Sequence, residues 1–446
     1  MSRKKYVLLL LGVFTICAAL LVPMFGKPGL TVIPFDGPPS AQQPKVVDGS
    51  KKNTVTLRAA VSMQASEYQY WIESNEKFQH VHPAIKVELI NFPTAEAYDT
   101  WKEDSQIGDP FDIMLLDNNR VREFAVQGYL LPTDGIFTGD SLADQLEALT
   151  DLLKWNGSLW GVPLDCNPLL VVWQRELLKT AGLNASPKDW STFKTAWNGL
   201  QSANPNLKWF NILPAEPSQI IAWLGAFKDN SQSAVNLLPF NEGSKQQLRF
   251  AADYAKQMSA LNPVLDSAKL MQQFESGTLL SSVLPWSVYQ SLSDAERKRL
   301  TIGNQTGPIS WSGGNSFVLS SKLEDLDAAR LWINEMTSTS SQLDRYSRFM
   351  RLPARISAYT NEFETSEISE NPPNWLINML ESQPLLPDPY WSERWNKWLE
   401  LWKNRHDWSS FTTEQAGALV KQWNGEQESG GTAPPLSSKG NGKLNN

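Results

Sequence analysis

The stretch "FDIMLLDNNR", Phe111–Arg120, decides the fold. An apolar run gives way abruptly to an acid, two amides and a guanidinium. Such a run predicts a strand covered on both faces, and loops at the carboxyl ends of such strands bind the ligands of open α/β folds. The sequence therefore predicts a binding edge made of Asp117, Asn118, Asn119 and Arg120. The alternative is a polar turn in which one of the two amides caps the next helix.

The flanking sequence extends this pattern. "TVTLRAAV" from Thr54 and "HPAIKVELIN" from His82 alternate apolar and polar residues as strands do, and helix-like segments lie between them. This order predicts an α/β fold with a parallel sheet and helices on both faces. The region 165–299 is more helical, and a second α/β stretch begins at Gly313. The return of the pattern predicts that the chain crosses between two lobes more than once.

Composition limits the possible functions. At 446 residues the chain exceeds one ordinary core, so two lobes are expected. The net charge of −7 argues against a nucleic-acid partner. Two cysteines and three histidines, without paired spacing, argue against a disulfide framework and a structural metal. We expect no metal and no cofactor.

The N-terminal sequence predicts that the folded part of the protein lies outside the cytoplasm. Arg3, Lys4 and Lys5 precede an apolar run from Tyr6 to Phe25, the order of a secretory signal. The run is long enough for a membrane-spanning helix, so three outcomes stay open: cleavage, lipidation at Cys17, or retention as an anchor. In each, positive residues keep the N-terminus inside and the body outside the membrane.

Tryptophan is unusually abundant, with 19 residues. Near the C-terminus Trp391, Trp395, Trp398 and Trp402 recur on one face of a helix, and we interpret this stripe as packing.

Several segments together resemble a family. "EYQYWIESNEKFQHVHPAIKVELIN", "GDPFDIMLLDNNRVREFAVQGYLLP", "NGSLWGVPLDCNPLLVVWQRELLKTAGL", "FESGTLLSSVLPWSVY", "GGNSFVLSSKLEDLDAARLWINEMTS" and "RLPAR" follow in the order of landmarks in extracellular solute-binding proteins of bacterial sugar ABC importers, the maltodextrin-binding-like superfamily. The resemblance covers about 54–423. Trp173 and Gln174 depart from the family's usual Tyr-Asn pair, which bears on ligand identity rather than on the fold.

The resemblance implies a two-lobed periplasmic-binding-protein-like fold of type II with the ligand cleft between the lobes. Hinge crossings are expected near Pro163, Gly307 and Leu352–Pro353. The predicted segments are an anchor over 1–26, a proline-rich tether over 27–53, the first lobe over 54–163 and 307–352, the second lobe over 164–306 and 353–424, and a disordered tail over 425–446.

Further candidate ligand-binding residues lie at the landmarks, and no catalytic residue is expected. Trp286 is expected to end its strand with the indole projecting against a sugar ring, because an indole matches the apolar face of a pyranose. At Ser218 the family usually has an aromatic residue, which implies a different or smaller sugar. The remaining candidates are Asp165, Asn167, Glu216, Trp311, Gly313, Gly314, Asn315 and Arg355.

The predicted function is non-catalytic: capture of a carbohydrate by hinge closure of the two lobes and delivery to ABC permease subunits, by a monomer held at the membrane. One alternative is a sugar-sensing partner of a membrane receptor kinase. A second is a glycoside-active enzyme, in which Asp117 and Glu216 would supply the two carboxylates. No nucleophile elbow or P-loop motif accompanies them.

Overall fold

The computed structural model describes residues 54–137, 139–227, 240–303, 313–360, 372–380, 390–403 and 405–425. The predicted anchor with Cys17, the tether, the tail beyond Gly425 and Trp311 lie outside these ranges. Among the described residues, no helix has both the length and the apolar character needed to cross a membrane.

The described strands are, in chain order, β1 Val55–Val61, β2 Ile85–Asn91, β3 Ile113–Asp117, β4 Leu130–Leu131, β5 Lys154–Trp155, β6 Ser158–Leu159, β7 Val162–Pro163, β8 Asp165–Cys166, β9 Leu169–Gln174, β10 Phe210–Asn211, β11 Met258–Ser259, β12 Ser281–Pro285, β13 Leu300–Ile302, β14 Asn315–Ser320 and β15 Leu352–Pro353.

The described α-helices are α1 Ala65–Val81, α2 Thr94–Ile107, α3 Val121–Val126, α4 Glu147–Leu153, α5 Arg175–Thr180, α6 Trp190–Ala203, α7 Pro217–Gly225, α8 Glu242–Asp253, α9 Ser267–Glu275, α10 Trp286–Ser291, α11 Asp294–Arg299, α12 Leu326–Met336, α13 Thr339–Phe349, α14 Trp375–Leu380, α15 Trp391–Trp402 and α16 Thr413–Trp423.

The first sheet has the order β2-β1-β3-β14-β4, with β7 also paired to β14. β1 is parallel to β2 and β3, as the alternation of strands and helices predicts. β14 runs antiparallel to β3, and Asn315 lies opposite Asp117. The expectation of a purely parallel sheet is therefore wrong for β14. Because the chain re-enters this sheet at the carboxyl end of β3, the returning strand runs in the opposite direction.

One face of the first sheet is covered by α1 and α12. Trp71 from α1 and Trp332 from α12 pack edge-on or tilted against Phe317 of β14, with ring centroids 5.5 and 5.2 Å from it. The Trp332 indole donates to Asn75 of α1 at 3.0 Å, so the two covering helices are joined across the apolar layer. This layer holds β3 and β14 in register and thereby fixes where β3 ends.

The second sheet has the order β11-β10-β12-β9-β13 and carries most of the aromatic packing. Its core includes Trp173 and Trp209 together with α15 and α16. Trp391, Trp398 and Trp402 are at most 1% exposed, so the packing interpretation of the C-terminal stripe is confirmed for these three.

Two of the three expected crossings lie within the described residues, and the third, near Gly307, lies outside them. β8 pairs with β15 in a separate two-stranded sheet, where Asp165 lies opposite Pro353. The first sheet takes its strands from the predicted first-lobe segments, 54–163 and 307–352. The second sheet consists of β9–β13, which lie in the predicted second-lobe segment 164–306. The exact segment boundaries stay predictions.

Gly314 lies where the crossings are closest. Its φ is +94°, and a Cβ there would clash with the Asp165 carbonyl oxygen and lie 2.6 Å from the Cys166 Cα. Both the left-handed backbone and the close approach require glycine at this position.

We expect Gly314→Ala to lower the free energy of unfolding well beyond the about 1–2 kcal/mol cost of a left-handed alanine. Overpacking against the backbone adds about 1–3 kcal/mol. Urea unfolding measures the loss. Gly108→Ala is the matched control, because Gly108 has φ +86° and no atom within 4 Å of its Cβ position. Equal losses in the two variants would contradict the assigned close approach.

Candidate functional site

A cavity of about 250 Å³ lies where the ends of the two sheets face each other. The first lobe, built on the first sheet, supplies the end of β3 and the start of β14. The second lobe, built on the second sheet, supplies residues beside β9, β12, α7 and α15. The lining residues are Asp117, Asn118, Asn119, Leu152, Asn167, Leu169, Glu216, Ser218, Pro285, Gly313, Gly314, Asn315, Arg351 and Trp395.

The end of β3 forms one wall, as the opening stretch predicts. Asp117 and Asn119 face the cavity. Asn118 also lines it, but its side chain is committed to the protein: Nδ2 donates to the Gly313 carbonyl at 3.0 Å, and Oδ1 accepts from Ser316 Oγ at 2.6 Å. Asn118 therefore fastens β3 to the crossing before β14, whereas the buried Oδ1 of Asn119 has no hydrogen-bond partner within the described part of the chain.

The helix-cap alternative is wrong for this turn. α3 follows with Arg120 at its N-cap position, and no side chain makes a capping hydrogen bond there.

Arg120 does not line the cavity, contrary to its predicted role. Its guanidinium lies over the Tyr98 ring of α2, with Cζ 4.0 Å from the centroid, and 5.7 Å from the Trp395 centroid on α15. The side chain is 9% exposed, and Nη1 has no hydrogen-bond partner among the described residues. The planar cation prefers the two aromatic faces, so it connects the lobes beside the cavity.

Asp165 is a second correction. It is 1% exposed, forms an ion pair with Arg345 at 2.7 Å, and accepts from the Asn315 N–H at 3.0 Å. Arg345 also binds Glu67 of α1 at 2.8 Å. We call these three residues (Glu67, Asp165, Arg345) the Arg345 network. Because its carboxylate is bound within this buried network, Asp165 does not face the cavity.

Asn167 and Glu216 line the cavity from the second lobe, as predicted. Asn167 accepts from the Ser287 N–H at 3.0 Å and donates to Ser287 Oγ at 3.1 Å, so its amide orders the first turn of α10. Glu216 precedes Pro217, the first residue of α7, and makes no capping hydrogen bond. Its carboxylate is thus available to a ligand.

Trp286 does not project towards the cavity, contrary to its predicted role. Its ring is 2% exposed, packs against Tyr289 and Trp375 with centroids 6.1 Å away, and does not line the cavity. Its backbone N–H donates to the Pro168 carbonyl at 2.9 Å. Pro285 ends β12 as expected, but the chain turns directly into α10, which directs the indole into the core instead of away from the sheet.

At the remaining landmarks, Gly313, Gly314 and Asn315 line the cavity as predicted. Arg355 does not, because it is 9% exposed, donates to the Thr337 carbonyl at 2.7 Å and pairs with Asp144 at 3.2 Å.

Two side chains that line the cavity are not among the residues predicted from the sequence. Arg351 lines the cavity and lies 3.6 Å from Glu67, whereas the reasoning chose the other arginine of "RLPAR". Trp395 lines the cavity although the rest of its stripe is core. The sequence carried no signal that separates Trp395 from Trp391, Trp398 and Trp402, because all four lie on one face of α15.

The surrounding protein raises the pKa of both cavity acids, although the Asp117 side chain is exposed and that of Glu216 is half-buried. Enclosure by both lobes raises the pKa of Asp117; Arg120 and Arg351 oppose the rise, and Asp165 adds to it. Burial, and then the Asp117 charge, raises the pKa of Glu216 to about 7. Near neutral pH the Glu216 carboxyl therefore exists in both protonation states and can donate or accept a hydrogen bond.

The described residues were also compared with the ligand sets of metal sites. Within the ranges that the structure describes, no group of three or more His, Cys, Asp or Glu side chains is placed to hold a metal ion.

Comparison with known proteins identifies the fold and the family. Residues 73–375 match the family described as "Bacterial extracellular solute-binding protein". A maltooligosaccharide ABC transporter solute-binding lipoprotein of Streptococcus pneumoniae is 23% identical over 309 residues, 65% of this chain and 71% of that protein. The maltodextrin-binding protein MdxE of Bacillus subtilis is 22% identical over 339 residues, covering 72% and 77% of the two chains. The sugar-binding protein MalE of Xanthomonas citri has a similar structure, with a TM-score of 0.62 and 17% identity over 84% of this chain and 100% of that one.

The placement of the two tryptophans predicts different mutational effects. Trp286→Ala removes a buried ring and should lower the free energy of unfolding by about 3–5 kcal/mol. Trp395→Ala removes a half-buried ring at the cavity wall and should cost distinctly less. Denaturant unfolding of both variants at one temperature makes the comparison, and a smaller loss for Trp286→Ala than for Trp395→Ala would contradict the assigned burial.

Proposed function

Because the chain belongs to the bacterial extracellular solute-binding proteins, we propose that it captures a carbohydrate outside the cytoplasm and delivers it to an ABC importer. Two curated relatives are named for maltooligosaccharide and maltodextrin, which supports this ligand class. The site itself gives independent support.

The observation that carries the proposal is that an aromatic wall and several polar side chains line one cavity. Trp395 offers a flat apolar face, and Asp117, Glu216, Asn119 and Arg351 offer acceptors and donors around it. A sugar ring has the matching surfaces, an apolar C–H face and a rim of hydroxyls that both donate and accept.

Capture proceeds by closure of the two lobes about the crossings. The cavity draws its lining from both lobes, and Arg120 of the first lobe contacts Trp395 of the second. A ligand that contacts both walls favours the closed arrangement by its differential affinity for the two states.

The protein acts as a binder and not as an enzyme. Asp117 and Glu216 are the strongest pair for a glycosidase reading, but the family and the named relatives are solute-binding proteins. The sensor alternative finds no support in the same comparisons. We further propose that the protein works as a monomer with ABC permease subunits and is held at the membrane by its N-terminal segment.

The first experiment is a thermal-shift screen of the protein against a carbohydrate panel. A ligand at 100 times its dissociation constant should add about 2.7 kcal/mol of stability. Trp395→Ala should weaken the binding of the best ligand at least about tenfold, equivalent to about 1.4 kcal/mol, because the stacking face is lost.

Trp375→Ala is the matched control, since Trp375 is 41% exposed and does not line the cavity. Its affinity should equal that of the unchanged protein. A panel without any stabilising sugar would contradict the proposal, and release of hydrolysis products from the bound sugar would contradict its non-catalytic character.

Membrane attachment has its own test. We expect the full-length protein to fractionate with membranes, and Cys17→Ser to separate the modes of attachment. Loss of attachment in this variant indicates lipidation, and its retention indicates a helical anchor. Recovery of most of the unchanged protein in the soluble extracytoplasmic fraction would contradict anchoring.

A further inference from the structure

Two carboxylates from opposite lobes line the same small cavity. Asp117 ends β3 of the first lobe, and Glu216 precedes α7 of the second. Within the described ranges, neither side chain accepts a hydrogen bond or forms an ion pair. The carboxylates that are buried in the described ranges, Glu67, Glu123 and Asp165, all have such partners; Glu123, for example, binds Lys102 at 2.7 Å and accepts from Tyr98 at 2.6 Å.

The positive charges near the cavity stabilise the ionised form of Asp117 but not that of Glu216. Arg120 and Arg351 act on Asp117, and both favour its ionised form. The charged group that acts on Glu216 is Asp117, which repels it. Glu216 is therefore the carboxylate without a positive partner among the described residues.

The amide side chains that line the cavity do not donate hydrogen bonds to Glu216. Asn118 and Asn167 are bound to backbone and hydroxyl groups of the protein. The buried Asn119 Oδ1 is a further acceptor without a donor. The cavity thus has unpaired acceptors at Glu216 and Asn119, whereas its cation Arg351 acts on Asp117. A complementary ligand has to supply donors, and a positive charge beside Glu216.

We propose that the ligand is an amine-bearing saccharide whose ammonium group lies between Glu216 and Asp117. This inference rests on the proposed carbohydrate function and specifies the class of carbohydrate. An ammonium group supplies three donors and one positive charge, whereas a hydroxyl in the same place supplies one donor and no charge. The charge compensates Glu216, the carboxylate without a positive partner among the described residues, and the attraction between opposite charges strengthens as water is excluded.

The size of the cavity limits the ligand. Its volume of about 250 Å³ is at or below the lower end of small-molecule pockets, which begin at about 300 Å³. A monosaccharide or disaccharide suits it better than a long oligosaccharide. We therefore choose the β-1,4-linked glucosamine dimer as the probe, with its N-acetylated form and cellobiose as neutral counterparts.

The pH dependence follows from the groups that act on the two acids: Asp117 on Glu216, and Arg120, Asp165 and Arg351 on Asp117. At about pH 5.5 Glu216 is mostly protonated, and at about pH 7.5 it is mostly ionised. A cationic ligand gains attraction as Glu216 ionises, whereas a neutral sugar gains none. The preference for the amino sugar over cellobiose should therefore grow from about pH 5.5 towards neutral pH, and it should level off where the amine of the ligand itself loses its proton.

Isothermal titration calorimetry on the full chain tests the proposal. At about pH 7.5 the glucosamine dimer should bind at least about tenfold more tightly than cellobiose or the N-acetylated dimer. Glu216→Gln and Asp117→Asn should each reduce this preference to within about threefold, with folding checked by thermal unfolding. Asp109→Asn and Glu414→Gln, exposed carboxylates of the first and second lobes, should leave the preference unchanged.

Each outcome bears on one of the two proposals. Neutral sugars that bind as tightly as the amino sugar overturn the amine assignment and leave the carbohydrate function intact. A preference that survives in both Glu216→Gln and Asp117→Asn also overturns the assignment. Equal binding of 1,4-diaminobutane means that the site recognises an amine alone, which overturns the saccharide class. Failure of every sugar to bind overturns the carbohydrate function together with this inference.

Discussion

The buried guanidinium of Arg345 holds together the parts of the chain on which the cavity depends. It is 2% exposed and binds Glu67 of α1 and Asp165 of β8, and its Cζ lies 5.4 Å from the Trp71 ring centroid. Asp165 in turn accepts from the Asn315 N–H at the start of β14. A helix, both crossings and one wall of the cavity are thus joined through a single side chain. Removing one member of such a network costs about 3–5 kcal/mol, because the remaining charges stay buried without compensation.

The network also restricts how the lobes can move. Glu67 and Arg345 belong to α1 and α13, which flank the first lobe, and the ion pair attaches the first crossing to that lobe as far as Asp165. Gly314 brings the return crossing against the same residue. A rotation of the second lobe has to be absorbed beyond this point, at Cys166 and the residues that lead into β9. The position of Asp117, Gly314 and Asn315 relative to one another can therefore persist while Glu216 and Trp395 move with the second lobe.

The sequence predicts those site residues whose role follows from local order along the chain. Asp117 and Asn119 end a buried strand, and Glu216 precedes a helix that begins with proline, so their positions could be inferred. Asp165 and Arg355 could not be excluded in the same way, because their partners Arg345 and Asp144 lie 180 and 211 positions away. Trp286 and Trp395 show the same limit. Trp286 begins α10 and Trp395 lies within α15, and only tertiary packing decides which ring is enclosed and which faces the cavity.

The contact between Arg120 and Trp395 links aromatic recognition to closure. Arg120 is stacked on Tyr98 of the first lobe, and Trp395 belongs to the second, so the aromatic wall reaches its position beside Asp117 when the lobes are together. On the proposed function, a ligand contacts this wall together with Asp117 only while the lobes are closed. Its apparent affinity then scales with the fraction of molecules that are closed. Residues such as Tyr98 and Arg120, which do not line the cavity, influence affinity through that fraction, whereas Glu216 acts on the ligand itself.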